Sequence, residues 1–408
     1  MQNHIYISVP ILDELDNLGR LLSDFKKQSF KDFTVFICIN QPNDWWDNPN
    51  KITICNRNIE SIEYLQDKSN DFDFKINIID KSSRGNGWTN KKLGVGWARK
   101  TLMDNISSIA NPDDIIISLD ADTSFDKDYF EKIHNYFNNN IQIECLSLPY
   151  YHPLNDNENA NRSILRYEIY MRYYLLNLLQ INSPYAFTAL GSAIAFKVSA
   201  LNKIGGFSPK KSGEDFYFLQ KMVKYKGVGL WLDTKLYPEA RFSDRVFFGT
   251  GPAMIKGNNG EWDSYPIYSM KLFDKIKEFY DIIPELFIKN IETPIDDFFD
   301  SKEKKIKILE KLRKNNKDVI HFTKAIHDYF DGLRILQYLK QNTTENNDLL
   351  NLIEFIKENY NKNISDIIND NFSFENSSIS KINEIRDYLC KLEDIKRQEI
   401  FYNTWKTN

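Results

Sequence analysis

Residues 115–122 read Ile-Ile-Ile-Ser-Leu-Asp-Ala-Asp, so a run of β-branched side chains ends in two carboxylates, Asp120 and Asp122. Continuous apolar runs of this length are typical of strands that are buried in a parallel sheet. Open α/β sheets bind their ligands at the carboxyl ends of such strands. Two hard oxygen donors at that position suit a divalent cation such as Mg²⁺ or Mn²⁺, which can hold a diphosphate.

The Asp-x-Asp spacing occurs again at 71–73 and at 126–128, so the tripeptide alone says little about function. Only the pair at 120–122 follows an uninterrupted apolar run. A second interpretation is that Asp122 caps a helix indicated by the apolar residues between 130 and 137. The position of the pair leaves both interpretations open.

The residues on either side alternate between strand and helix patterns. Upstream strands are predicted at 5–9, 33–39 and 74–79, with helices at 18–25, at 59–65 and around 102. Downstream strands are predicted at 141–148, 189–196 and 227–232, with helices at 164–179 and 216–225. This alternation predicts a doubly wound, mostly parallel α/β sheet with helices on both faces.

The composition changes beyond about residue 265, where glycine nearly vanishes and Lys, Asn, Glu, Ile and Leu dominate. We therefore predict an α/β domain over 1–264 and a helical C-terminal region over 265–408. Apolar residues at helical spacing between 322 and 336 support the second assignment. The charges of this region are typical of a solvated face, and no catalytic cluster stands out in it.

Charge and cysteine content exclude several classes of protein. A formal net charge of -4 gives no indication of nucleic-acid binding. The four cysteines are scattered without a Cys-x-x-Cys pair, which favours buried free thiols over disulfides or a zinc site. The chain opens without a signal-peptide pattern and has no apolar run of membrane-spanning length, so we expect a cytoplasmic protein. Peripheral membrane association stays open.

Several motifs then follow one another in a familiar order. They are Val9-Pro10 with Glu14, the strand that ends at Asn40, Gly-Val-Gly-Trp-Ala-Arg-Lys at 94–100, Asp120-Ala121-Asp122, Lys-Ile-Gly-Gly-Phe at 203–207 with Glu214-Asp215, and a basic Gly-containing segment at 243–251. In this order and spacing, residues 4–252 resemble the family-2 glycosyltransferases with the GT-A fold. Three positions depart from the family pattern, since Asp13 and Lys100 each stand for an Asn and Asn40 stands for an Asp.

The resemblance implies a role for each matched residue. It implies Asp215 as the catalytic base, Asp122 as the direct metal ligand and Asp120 as a contact to metal or ribose. The remaining assignments are Pro10, Glu14, Asn40, Arg99, Asp120, Ala121 and Arg245 at the donor nucleotide, with Glu214 and Gly191 on the acceptor side. Arg99, Arg241 and Arg245 are also candidates for phosphate contact, because guanidinium forks suit phosphate. A purely structural interpretation of Glu214-Asp215 is that acidic residues are favoured at a helix N-terminus.

The function implied is that of an inverting, metal-dependent glycosyltransferase. Its donor would be a UDP-, GDP- or dTDP-linked sugar, its cofactor Mn²⁺ or Mg²⁺, and its acceptor a glycan, a lipid-linked glycan or a protein. Such an activity belongs to polysaccharide or glycoconjugate synthesis.

Two other functions remain in view at this stage. A sugar-nucleotidyltransferase would want a basic, Gly-rich loop after the first strand, whereas residues 11–14 are acidic and lack glycine. A non-catalytic nucleotide-sugar-binding module with a partner-docking helical tail would explain Asn40 and Lys100. The adjacent Trp45 and Trp46 are either a hydrophobic lid or a packed corner.

Overall fold

The computed structural model describes residues 3–89, 94–210, 213–230, 232–244, 249–343, 347–360, 368 and 372–406. The strands are β1 (Ile5–Ile11), β2 (Phe33–Asn40), β3 (Lys75–Lys81), β4 (Ile115–Ser118), β5 (Thr123–Phe125), β6 (Cys145–Ser147), β7 (Ile194–Lys197) and β8 (Leu236–Pro238). The helices are α1 (Leu15–Lys26), α2 (Ile52–Lys68), α3 (Val95–Ser107), α4 (Tyr129–Asn139), α5 (Glu158–Gln180), α6 (Val198–Lys203), α7 (Glu214–Tyr225), α8 (Thr250–Asn258), α9 (Met270–Asp281), α10 (Ile283–Ile288), α11 (Lys302–Asn315), α12 (Val319–Tyr329), α13 (Gly332–Asn342), α14 (Asp348–Tyr360) and α15 (Ile379–Lys406).

Six strands form one mostly parallel sheet in the order β3-β2-β1-β4-β7-β6. The first four strands are parallel to one another, whereas β7 pairs antiparallel with both β4 and β6. Strands β5 and β8 form a separate antiparallel pair. The α/β class with a mostly parallel sheet is therefore confirmed.

The apolar strands take the centre of the sheet because only that position buries both of their faces. All seven residues of β1 and all four of β4 are buried. Helix α1 buries Leu18, Leu21, Leu22 and Phe25, one face of its 3.6-residue repeat. An aromatic cluster extends this core, where the ring of Phe33 lies 5.0 Å from that of Phe74 and 5.1 Å from that of Phe130.

The chain divides into two compact units. The first unit comprises residues 1–164, 187–256 and 400–408, and it contains all eight described strands. The second unit comprises residues 165–186 and 257–399, and its described elements are helical. The predicted boundary at 264/265 stays a prediction, and residues 165–186 group with the C-terminal helices although they precede it.

The helical unit has ion pairs in its interior. Glu168 and Arg172 on α5 are buried, and an Oε1 of Glu168 accepts from Arg172 Nη2 at 2.6 Å. Glu393 on α15 accepts from Arg397 Nε at 2.8 Å. Burial opposes the shift, but Arg397 and Arg172 outweigh it and lower the pKa of Glu393. Buried charges of this kind persist only when they are paired and hydrogen-bonded.

Three predicted elements are shorter in the structure. Residues 141–142 form a turn with Ile141 exposed, so the strand predicted at 141–148 is limited to β6. The small-residue strand predicted at 189–196 is limited to β7, and residues 191–192 form a turn before it. Of the edge strand predicted at 227–232, Gly229 makes one bridge to Leu146, and Trp231 lies outside the described residues.

The cysteine prediction is confirmed, since all four cysteines are buried and free. Burial raises the pKa of Cys38 to about 12, with Lys81 opposing this shift, so the thiol stays protonated at neutral pH. Within the part of the chain that the structure describes, no helix is both long and apolar enough to span a bilayer.

Candidate active site

The carboxyl ends of β1 and β4 meet at one edge of the sheet. Ile5 pairs with Ile115 and Ser8 with Ser118, so both strands reach this edge together. The chain then turns, and the amide of Thr123 donates to the carbonyl of Asp120 at 3.1 Å. This turn places Asp120 and Asp122 at the edge where a parallel sheet binds its ligands.

The alternative in which Asp122 caps a helix is wrong. Helix α4 begins at Tyr129, six residues beyond the turn, and Asp128 occupies its N-cap position. Residues 123–125 between them form β5 rather than a helical turn. Asp122 is therefore a loop residue at the edge of the sheet.

Arg99 on α3 connects the end of β4 with the start of α7. Its Nη2 donates to Asp120 Oδ1 at 2.7 Å and its Nε to Glu214 Oε1 at 3.2 Å. Its Nη1 donates to Ser118 Oγ at 2.6 Å and to the carbonyl of Gly191 at 3.0 Å. The Arg99 side chain is only 4% exposed, and this buried guanidinium fixes both acids in place.

Gly191 is needed here because it has no side chain. A Cβ at this position would lie 2.3 Å from Nη2 and 2.8 Å from Cζ of Arg99. The predicted acceptor-side residue thus makes room for the arginine and binds it through its carbonyl.

The Gly191→Ala variant should therefore unfold at a lower temperature than the wild type, because the added methyl group would displace the guanidinium of Arg99 from its hydrogen-bond partners. We expect a loss of about 1–3 kcal/mol in the free energy of unfolding, measured by thermal or urea denaturation. Gly19→Ala is the matched control, since a Cβ there would lie 3.4 Å from the hydroxyl of Tyr64, an ordinary contact. Equal destabilisation by both variants would contradict this role for Gly191.

Arg241 joins two other acids of the site. Its Nη2 donates to Asp122 Oδ2 at 2.8 Å and also to Glu14 Oε1. Glu14 is buried at the start of α1, and its second oxygen accepts from Asn17 Nδ2 at 2.7 Å. Burial lowers the pKa of Arg241, but Asp122 and Glu14 outweigh it, so the net shift is upward and the guanidinium is charged.

Glu214 and Asp215 form the first turn of α7, after Gly213 with its positive φ of 70°. Glu214 is buried against Arg99, whereas Asp215 is half-buried. Burial of the carboxyl raises the pKa of Asp215 to about 7, Glu214 adds to this, and Arg99 opposes it. A helix N-terminus by itself would lower an acid's pKa. The upward shift marks a carboxyl that can exchange protons near neutral pH.

Two of the predicted donor residues point into the core. Pro10 is buried in β1 opposite Cys38. Asn40 is buried too, and its Nδ2 donates to the carbonyl of Ile11 at 2.8 Å while its Oδ1 accepts from Trp88 Nε1 at 3.0 Å. An amide engaged in this way closes the end of the strand, and its role at the donor nucleotide stays a prediction.

The remaining predicted residues are placed as follows. Ala121 is buried, and its carbonyl accepts from Arg20 Nη2 at 3.3 Å. Arg245 lies outside the described residues. Sequence reasoning overlooked Ser118, although a serine that ends an apolar strand is a recognisable signal of a polar partner.

A cavity of about 350 Å³ adjoins Arg241 on the sheet-containing unit. Its lining residues are Leu12, Asp13, Trp45, Lys51, Ile54, Arg241, Phe242, Ser243 and Asp244. Trp45 is half-buried, and Nζ of Lys51 lies 4.9 Å from its ring centroid. Trp45 thus forms part of the wall of this cavity, and the choice between a lid and a packed corner stays a prediction.

The acids present fit a cation that shares its coordination with a substrate. Among the described residues, no group of three or more His, Cys, Asp or Glu side chains is arranged to enclose a metal ion. Asp120 and Asp122 supply two carboxylates at one edge. Mg²⁺ is typically held by one or two carboxylates, with substrate phosphates and water completing its shell.

The acids at this edge of the sheet lie in a segment that matches a known protein family. Residues 115–255 match the family described as Glycosyl transferase family group 2. The matched segment contains Asp120, Asp122, Gly191, Glu214 and the half-buried Asp215. The match confirms the predicted resemblance to this family and the predicted class of enzyme. The protein is a glycosyltransferase.

Two solved structures resemble the glycosyltransferase. TarS 1-349 of S. aureus in complex with UDP-GlcNAc is 14% identical with a TM-score of 0.42, and the match covers 80% of this chain and 91% of that chain. Mannosyltransferase PcManGT from Pyrobaculum calidifontis in complex with GDP-Man and Mn²⁺ is 11% identical with a TM-score of 0.41, over 97% of this chain and 88% of that chain. No curated protein sequence matches the chain significantly.

Proposed function

We propose that this glycosyltransferase moves a sugar from a UDP-, GDP- or dTDP-linked donor to an acceptor hydroxyl, with inversion and with Mn²⁺ or Mg²⁺. The observation that carries the proposal is that Arg99 bonds both Asp120 and Glu214, so that Asp215, the residue after Glu214, lies beside the same cluster. One guanidinium bonds Asp120 and also acts on the pKa of Asp215. The acid pair for the cation and the candidate base therefore belong to one charged cluster.

Asp215 is proposed as the general base. Its carboxyl is half-buried and its pKa is raised to about 7, a value suited to accepting a proton at neutral pH. The acceptor hydroxyl would lose its proton to this carboxylate as the oxygen attacks the anomeric carbon. No enzyme nucleophile takes part, so the reaction is a single displacement. Attack on the face opposite the departing diphosphate then inverts the configuration at that carbon.

Asp122 is proposed as the metal ligand, with Asp120 turned toward metal or ribose. A bound Mg²⁺ or Mn²⁺ would act as a Lewis acid that neutralises the departing diphosphate. Arg99 holds Asp120 in a fixed orientation, and Ser118 in turn holds Arg99. Such preorganised charge needs no rearrangement when the substrate arrives.

Neither alternative function gains support. A sugar-nucleotidyltransferase would use the loop after β1 to bind a triphosphate, yet Asp13 pairs with Arg57 and Glu14 with Arg241 in that loop. The family match makes a purely non-catalytic module unnecessary. The acceptor is proposed to be a glycan, a lipid-linked glycan or a protein, and the location to be the cytoplasm.

The Asp122→Asn variant tests the metal assignment. Thermal unfolding of the full chain is measured with UDP, GDP and dTDP, each with and without Mn²⁺. For the nucleotide that binds, we expect the wild type to gain about 2.7 kcal/mol at 100 times its Kd in the presence of Mn²⁺. We expect the variant to lose this Mn²⁺-dependent gain, because an amide is a poor ligand for a hard cation.

The control is Asp73→Asn, an exposed aspartate in a second Asp-x-Asp tripeptide. It removes the same charge away from the proposed site and should leave the Mn²⁺-dependent gain unchanged. If none of the nucleotides raises the unfolding temperature, or if Asp122→Asn behaves like Asp73→Asn, the proposed metal-assisted function fails.

A further inference from the structure

A single nitrogen lies between two carboxylates of the proposed donor site. Nη2 of Arg241 donates to Asp122 Oδ2 at 2.8 Å and at the same time to Glu14 Oε1. These three residues come from separate parts of the chain, after β1, after β4 and after β8. The two carboxylate oxygens converge on one cationic position, which is the geometry that a small cation also requires.

Burial makes this cation necessary to the resting protein. The side chain of Glu14 is 7% exposed and that of Asp122 is 20% exposed, so both charges are partly withdrawn from water. A buried carboxylate without a counter-ion is strongly unfavourable. Nη1 of Arg241 also lies 4.0 Å from Glu239, so three acids surround one guanidinium.

Arg241 has one donor that the resting contacts leave unused. Its Nε is buried and has no hydrogen-bond partner among the described residues. The guanidinium is 28% exposed and borders the 350 Å³ cavity. A planar group with a spare N–H beside a cavity can turn to a phosphate, which it binds in a bidentate manner.

We infer that Arg241 is the resident counter-ion of Asp122 and competes with the divalent cation for that carboxylate. This inference rests on the proposed function. The cation can coordinate the Asp122 carboxylate only when Arg241 releases it. Arg241 releases this carboxylate at low free-energy cost only when an anion binds its guanidinium instead. Cation and nucleoside diphosphate are therefore expected to bind cooperatively, each strengthening the other by the same factor.

The competing explanation is that Arg241 serves stability alone by neutralising Glu14. In that case its removal destabilises the fold and leaves the affinity for the cation unchanged. The two explanations differ in a quantity that can be measured without turnover, which is the affinity for Mn²⁺ in the absence of nucleotide.

Mn²⁺ binding is measured by electron paramagnetic resonance on the full-length wild type, on Arg241→Gln and on Arg20→Gln. Arg20 is the matched control, because it donates to Asn17 Oδ1 at 3.2 Å and to the carbonyl of Ala121 at 3.3 Å, and both of these acceptors are uncharged. Both variants remove one positive charge near the acid pair. We expect Arg241→Gln to bind Mn²⁺ about tenfold more tightly than the wild type, and Arg20→Gln to stay within about twofold.

Further measurements separate the outcomes. In wild type, a saturating nucleoside diphosphate should raise the Mn²⁺ affinity, and in Arg241→Gln this increase should shrink. Arg241→Lys keeps the charge but lacks the forked guanidinium, and it also should bind Mn²⁺ more tightly than the wild type. This variant replaces Arg241→Gln in the test if Arg241→Gln fails to fold. Equal or weaker Mn²⁺ binding by Arg241→Gln, or equal gains in both glutamine variants, overturns the inference. Absence of Mn²⁺ binding to every protein, with UDP, GDP or dTDP present, overturns the metal-assisted function itself.

Discussion

Replacing Asp215 by asparagine is expected to lower kcat by about 10²- to 10⁴-fold, the range that a positioned general base contributes. The amide keeps the shape of the side chain but cannot accept the acceptor's proton. The measurement is release of nucleotide from the donor sugar, with an acceptor or with water. For the wild type, kcat/KM should rise with pH through about 7, because only the ionised form of Asp215 acts as a base.

The same substitution should stabilise the protein at high pH. The pKa of Asp215 is raised by burial and by Glu214 to about 7, above the value of about 3.9 for an unfolded aspartate. The folded chain therefore holds this proton more tightly, and its stability falls as the pH rises from about 4 to about 7. The variant lacks this loss, so its advantage in unfolding temperature should grow over that interval and level off above it.

Asp104→Asn is the control for both measurements. This carboxylate lies on α3, is 53% exposed and pairs with Lys100 at 2.7 Å. We expect its removal to change neither kcat nor the pH dependence of stability by a measurable amount. If Asp215→Asn retains more than about a tenth of wild-type kcat, the assignment of Asp215 as base is wrong.

Arg99→Gln is expected to have the largest effect on stability. The substitution leaves Asp120 and buried Glu214 without their shared counter-ion. Breaking a buried pair in this way costs about 3–5 kcal/mol, since the remaining charge stays out of water. Urea denaturation measures the loss.

Arg99→Lys separates charge from geometry. An ammonium keeps the positive charge but cannot reach all four partners of the guanidinium, so an intermediate loss is expected. A free energy of unfolding within about 1 kcal/mol of wild type for Arg99→Gln would show that the cluster does not depend on this arginine.

The strands that carry the site could be predicted because their signals are local. The run at 115–119 is apolar at every position but Ser118, and such a run has few alternatives to a buried parallel strand. Strands β1 and β2 of the same sheet give the same signal. The carboxyl edge of the sheet, with Asp120 and Asp122 on it, followed from these strands alone.

The ion pairs of the site could not be predicted, because they join residues that only the fold brings together. Glu14 and Arg241 are 227 positions apart, and Asp122 and Arg241 are 119 positions apart. A sequence pattern indicates that an arginine suits phosphate, but it does not indicate which carboxylate holds that arginine in the resting protein. The burial of Asn40 depends in the same way on Trp88, 48 residues away.

The strand predicted at 141–148 failed for a different reason. Its apolar residues predict burial, yet Ile141 is 75% exposed in a turn. Single exposed apolar residues are common on protein surfaces. The pattern became informative only from Cys145, where the side chains of β6 are all buried.

The most direct test of the account is the position of manganese in crystals of the full chain grown with Mn²⁺ and a nucleoside diphosphate. An anomalous difference map at the manganese edge should show one strong peak within coordination distance of the Asp122 carboxylate and next to the diphosphate. Arg241 should have left Asp122 in the same crystals. A bound diphosphate with no manganese at Asp122, or a cation on another part of the chain, would contradict the account.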